Sequence, residues 1–68
     1  MEPKEIFELI IKADERVKYA TDDKAGIRVE QARRLLEQAR DEARAIGNDQ
    51  LVEQAERRLT DLAGEGSA

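Results

Sequence analysis

Val29-Glu30-Gln31-Ala32-Arg33-Arg34-Leu35-Leu36-Glu37-Gln38-Ala39-Arg40-Asp41-Glu42-Ala43-Arg44-Ala45-Ile46 decides the fold. Its apolar positions 29, 32, 36, 39, 43 and 46 step by 3-4-3-4-3. That is the period of one helix face packed along a seam, because residues three and four apart lie above one another. Leu35 widens the stripe on one side, and charged or amide residues fill most of the positions between. The spacing predicts a helix over 25–46. Gly47-Asn48 ends it, with glycine suited to the left-handed residue that closes a helix.

The same period recurs on both sides. Before the central helix stands Thr21-Asp22-Asp23-Lys24-Ala25-Gly26, where Asp22 or Asp23 is placed to cap the helix and Gly26 loosens its first turn. The segment ahead of that loop predicts a helix over 3–21, with Pro3 in the first turn, Glu2 and Glu5 at the positive end of the dipole, and a stripe of Ile6, Leu9, Ile10, Ala13, Val17 and Ala20. After Gly47, Asp49 is expected to cap a third helix over 50–63, whose stripe is Leu51, Val52, Ala55, Leu59 and Leu62. Glu65-Gly66-Ser67-Ala68 has nothing to bury and is expected to be a disordered tail behind a single domain of residues 1–64. No segment alternates with period two, so strands are not expected. Three seams joined by short loops predict an all-α fold, an antiparallel up-down-up three-helix bundle with crossings of roughly +20°. Alanine on every seam lets the backbones approach closely and keeps the core thin.

Composition narrows the chemistry. A chain of 68 residues holds one small core and leaves no room for a deep substrate cavity. The sequence contains no Cys, His or Trp. Structural zinc, disulfides and the Cys–His and Ser–His–Asp arrangements are therefore excluded. No cofactor and no enzymatic activity are expected. The longest apolar runs, Leu9-Ile10-Ile11 and Leu35-Leu36, fall far short of a membrane span, and a cytoplasmic protein is expected. The net charge is −4, divided as −2 over residues 1–24, +1 over 25–47 and −3 over 48–68. Such mixed charge makes no basic stripe for nucleic acid, and Phe7 and Tyr19 are too few to stack bases. Pairs such as Glu30–Arg34, Glu53–Arg57 and Arg33–Glu37 have the spacing of solvated helix ion pairs.

Lys18-Tyr19-Ala20-Thr21-Asp22-Asp23-Lys24-Ala25-Gly26, then Glu30-Gln31-Ala32 and Leu36-Glu37-Gln38-Ala39, resembles the helix 1–2 junction and second helix of MIT domains. Relative to that pattern the step from Gly26 to Ala32 is one residue long, a leucine replaces an aromatic, and the third helix is short. The triplet Ala32, Leu36, Ala39 also resembles the second helix of a tetratricopeptide repeat, and the run from Ala43 to Val52 its junction to the next repeat. Both resemblances imply a non-enzymatic adaptor that holds a partner's peptide or helix between its own helices. A self-associating structural module and an engineered bundle without a natural partner are the competing expectations.

Several side chains are candidates for more than structure. Asp22-Asp23 lacks the alternating ligands of a calcium loop, and Asp14-Glu15 and Asp41-Glu42 point about 100° apart on their helices, which suits solvated surface rather than paired carboxylates. Arg33-Arg34 and Arg57-Arg58 read as salt-paired surface, and Tyr19 as a cover for the first loop. Phe7 and Ile11 extend the apolar arc of the first helix to about 200°, twice the usual stripe. Phe7 either packs on Leu51, Val52 or the 46–49 turn or stands free, and Ile11, further round, is either ordinary exposure or a contact. Ile27 lies off its own seam. Phe7, Ile11 and Ile27 are thus the expected partner-binding residues. The partner would be a protein or peptide helix, or a second copy of the chain.

Overall fold

The computed structural model describes residues 1–20 and 25–66, without the side chains of residues 65 and 66. Among these residues there are three helices, α1 (Pro3–Lys18), α2 (Ala25–Ala45) and α3 (Asp49–Gly66), and no strand. The chain is all-α, as its spacing predicts. The central helix α2 packs along both α1 and α3, while α1 and α3 meet each other only sparsely. The Cα trace measures 37 × 20 × 13 Å along its principal axes. The two short dimensions would be nearly equal if the helices closed into a triangle, so the side between α1 and α3 is open.

Each expected seam supplies the core. Ile6, Ile10 and Ala13 of α1, Ala32, Leu36, Ala39 and Ala43 of α2, and Leu51, Ala55 and Leu62 of α3 are buried. Among the described residues only Ile6, Ile10 and Leu36 are both large and fully enclosed. Leu9, Val17, Val29, Leu35, Val52 and Leu59 pack against this cluster while half-buried. No polar or charged residue is buried, and no buried side-chain polar atom lacks a hydrogen-bond partner among the described residues.

The helix ends depart from expectation in instructive ways. At the start of α1, the Glu2 N–H donates to Glu5 Oε1 at 3.3 Å. This gives one orphan donor a partner, and Pro3 has none to offer. The helix was expected to reach Thr21 and instead ends at Lys18. Tyr19 turns out of the helix at φ −99°, ψ 12°, and the Ala20 N–H bonds the Val17 carbonyl at 3.1 Å, a tightened last turn. The proposed caps Asp22 and Asp23 lie outside the described residues. Ile46 was expected to finish the α2 seam; it sits in the turn and is 41% exposed. Asn48, not Asp49, caps α3: its Oδ1 accepts the Leu51 N–H at 3.2 Å, and Asp49 becomes the first helical residue. Asparagine and aspartate cap equally well, so composition alone does not choose between neighbours. At its other end α3 continues to Gly66, three residues beyond the expected end at residue 63 and into the expected tail, and Ser67 and Ala68 lie outside the described residues.

The α2–α3 corner explains the Asn48 cap. Gly47 adopts φ 70°. The Asn48 N–H reaches back to the Ala43 carbonyl at 2.8 Å and the Gly47 N–H to the Arg44 carbonyl at 3.1 Å. These are the paired 6→1 and 5→2 bonds that close a helix through a left-handed residue. A Cβ on Gly47 would touch nothing within 4 Å, so only the backbone conformation resists a side chain there. Gly47→Ala is expected to destabilise the fold by about 1–2 kcal/mol. A Cβ on the helical Gly26 also meets nothing within 4 Å, and no positive φ holds that residue. Gly26→Ala is therefore expected to stabilise by up to about 1 kcal/mol. Paired denaturant titrations check the two signs; equal effects would contradict the assigned corner.

Candidate interaction surfaces

Phe7, Ile11 and Asp14 follow one another at 4-3 spacing and so form one line on α1. Phe7 is 44% and Ile11 37% exposed, and neither belongs to the packed core. Asp14 marks the direction in which this line faces. Arg58 of α3 donates its Nε to both carboxylate oxygens of Asp14, at 2.9 and 3.1 Å. Phe7 and Ile11 therefore flank the open side between α1 and α3. A cleft of about 170 Å³ lies on that side, floored by Leu36 and bordered by Val17, Leu62 and the Asp14–Arg58 pair.

Ile27 is elsewhere. It is 62% exposed and lines a cleft of about 330 Å³ with Arg16, Arg28 and Gln31. Arg16 lies nine positions beyond Phe7, half a turn round the helix at about 100° per residue. Ile27 thus belongs to the α1–α2 flank opposite Phe7, and the three expected contact residues do not form one patch. Tyr19, expected to cover the loop, is 63% exposed, with Lys18 Nζ 5.6 Å from its ring centroid.

The ion pairs divide the surface further. Glu30 takes Arg33 and Arg34, Arg33 also reaches Glu37, and Arg57 pairs with Glu53, as their spacing predicts. Arg40 meets Asp41, and Arg44 crosses to Glu56 of α3 at 3.0 Å. The hydrogen bond from Arg33 holds the Glu30 carboxyl below the ordinary carboxylate range, and the same bond raises the Arg33 guanidinium. A carboxylate lowered by folding supports the fold at neutral pH and loses that support as pH falls through its value. Both groups are solvated, so the effect is small.

Among the described residues, no ion pair involves Lys12, Arg16 or Arg28. The sequence carried a signal for the two arginines that went unread. Every other arginine has an acidic residue three or four positions away, whereas Arg16 and Arg28 have none. Among the described residues no group of acidic side chains is arranged to hold a metal ion, and no helix is long and apolar enough to cross a membrane. No family model, no curated protein and no solved structure matches the chain. The MIT-like and tetratricopeptide-like features therefore rest on the residues quoted for them.

Proposed function

We propose that the chain is a cytoplasmic helical interaction module, without catalytic activity, that holds a partner's helix along the open side between α1 and α3. The observation that carries this reading is the pair Phe7 and Ile11, exposed one turn apart on the line of α1 that continues to Asp14 at the border of the cleft. In helix-in-groove recognition the partner's helix sets its own apolar anchors, at i, i+3 or i+4 and i+7, on such an apolar surface. The groove requires α1 and α3 to run side by side in an up-down-up arrangement. Three contacts support that direction. The Met1 amino group lies 3.6 Å from Glu42 near the end of α2, Arg44 meets Glu56 at 3.0 Å, and Arg58 meets Asp14 at 2.9 Å.

One observation favours a second reading, in which the occupant is another copy of the chain. Lys4, Phe7, Ile11 and Asp14 are spaced 3-4-3 and read basic, apolar, apolar, acidic. Laid antiparallel on itself, this row sets Phe7 against Ile11 and Lys4 against Asp14 on both sides of a two-fold axis, an isologous contact. Ile11→Glu separates either occupant from a structural role, because Ile11 points away from the seam. Helical peptides selected against the chain are expected to carry apolar residues at i, i+4 and i+7 and to bind the variant at least about tenfold more weakly. Phe7→Ala should weaken them too and lower stability slightly. Sedimentation equilibrium assigns the occupant: a monomer favours the partner helix, a dimer dissolved by Ile11→Glu the second copy. Unfolding of Ile11→Glu, or unchanged binding and association, would remove this surface from the proposal.

A further inference from the structure

Arginine is used sparingly in α1, whose other basic residues are Lys4, Lys12 and Lys18. The exception, Arg16, is set against α2. It lines three adjoining clefts: one with Leu35, Gln31, Arg34 and Gln38, one with Ile27, Arg28 and Gln31, and one with Lys12, Glu15, Tyr19 and Arg28. Their volumes are about 310, 330 and 280 Å³. Shared walls make them one groove along the α1–α2 flank. From Ile27 to Gln38 it follows three turns of α2, about 16 Å at helical rise.

The groove's chemistry is one-sided. Lys12, Arg16, Arg28 and Arg34 line it against a single acid, Glu15, in a chain whose net charge is −4. Arg34 has a partner in Glu30, but Lys12, Arg16 and Arg28 have none among the described residues. Arg16 and Arg28 line two of the three clefts together, two like charges carried by facing helices. Like charges so placed repel, and the arrangement is relieved by an anion that both reach. The planar guanidinium fork suits a carboxylate better than lysine does. Between the cations lie apolar surfaces of Ile27, Leu35 and Tyr19. A free inorganic anion would leave them bare. A nucleic acid needs a longer run of phosphate contacts than these four cations supply in a chain of net charge −4.

We propose that the α1–α2 groove binds an acidic amphipathic helix of about three turns, its apolar residues on Ile27 and Leu35 and its carboxylates on Arg16 and Arg28. The three-turn length matches an i, i+4, i+7 anchor set. This surface is independent of the Phe7/Ile11 side. Its occupant is a partner protein of opposite charge to the groove.

The test uses the full chain and two labelled synthetic helices of about fifteen residues, identical except that one carries Glu where the other carries Gln. Fluorescence anisotropy is expected to show the Glu helix binding at least about tenfold more tightly than the Gln helix, with the gap narrowing as salt screens the pair. Arg16→Glu/Arg28→Glu should weaken the Glu helix at least about tenfold while circular dichroism shows an intact fold; Arg16→Gln/Arg28→Gln serves if the first variant does not fold. Ile11→Glu should leave this binding unchanged, so failure here is distinguishable from failure of the Phe7/Ile11 surface. Equal affinity for the two helices, no binding of the Glu helix, or binding indifferent to the arginine variants would overturn the proposal. So would tighter binding of single-stranded oligothymidylate than of the Glu helix.

Discussion

Leu36→Ala is expected to lower stability by about 2–5 kcal/mol, a large share of what a domain of this size possesses. Leu36 is 1% exposed, and its seam neighbours on α2 are Ala32 and Ala39. Neither alanine can swing into the vacated space, because rotating a methyl group moves only its hydrogens. The loss should fall toward the lower end of the range. Leu36 also floors the cleft between α1 and α3, so water can enter the void and the cost reduces toward transfer of the lost methyl groups alone. A urea titration measures it through the midpoint and slope. A change below about 0.5 kcal/mol would mean that the α2 seam is misassigned.

The core was legible because its logic is local. Every buried residue, from Ile6 to Leu62, sits on a position that 3-4 spacing marks as inward-facing. Spacing alone did not fix where a stripe stops. Ile46 continues the α2 series in number but follows the last helical turn, and the left-handed Gly47 swings the chain away before its side chain reaches the core. The α1 stripe likewise runs on past Lys18, where Tyr19 has already left the helix. Ends depend on hydrogen bonds between particular carbonyls and N–H groups, which a hydrophobic period does not encode.

The candidate surfaces were legible in part. The wide apolar arc at Phe7 and Ile11 could be read from the helical wheel, and both side chains are exposed. Whether α3 would cover them depends on the angle between helices, a tertiary quantity set by packing on α2. The basic groove was missed for a different reason. Net charge and segment sums average over direction, and the positive flank disappears into a chain of net −4. Counting acids at three and four positions from each arginine restores direction and isolates Arg16 and Arg28. Their convergence from separate helices still required the fold.

Adjacent isoleucines give the sharpest contrast the fold implies. Ile10 is completely buried, while Ile11 is 37% exposed. One step along a helix rotates a side chain by about 100°, enough to carry it from the seam to the rim. Ile10→Ala is expected to destabilise by about 2–5 kcal/mol, since Ile6, Ile10 and Leu36 are the only large side chains fully enclosed among the described residues and the surrounding alanines cannot fill a hole. Ile11→Ala removes the same atoms from a surface that keeps much of its contact with water. Its expected cost is below about 1 kcal/mol, and alanine's better helix propensity offsets part of it. Identical chemistry at neighbouring positions cancels differences in side-chain size and unfolded-state exposure, so the difference isolates burial in the native state. Parallel denaturant titrations of the two variants measure it. Equal losses would mean that α1 is rotated about its axis from the orientation that puts Ile10 on the seam, and the surface assigned to Phe7 and Ile11 would then belong to the core.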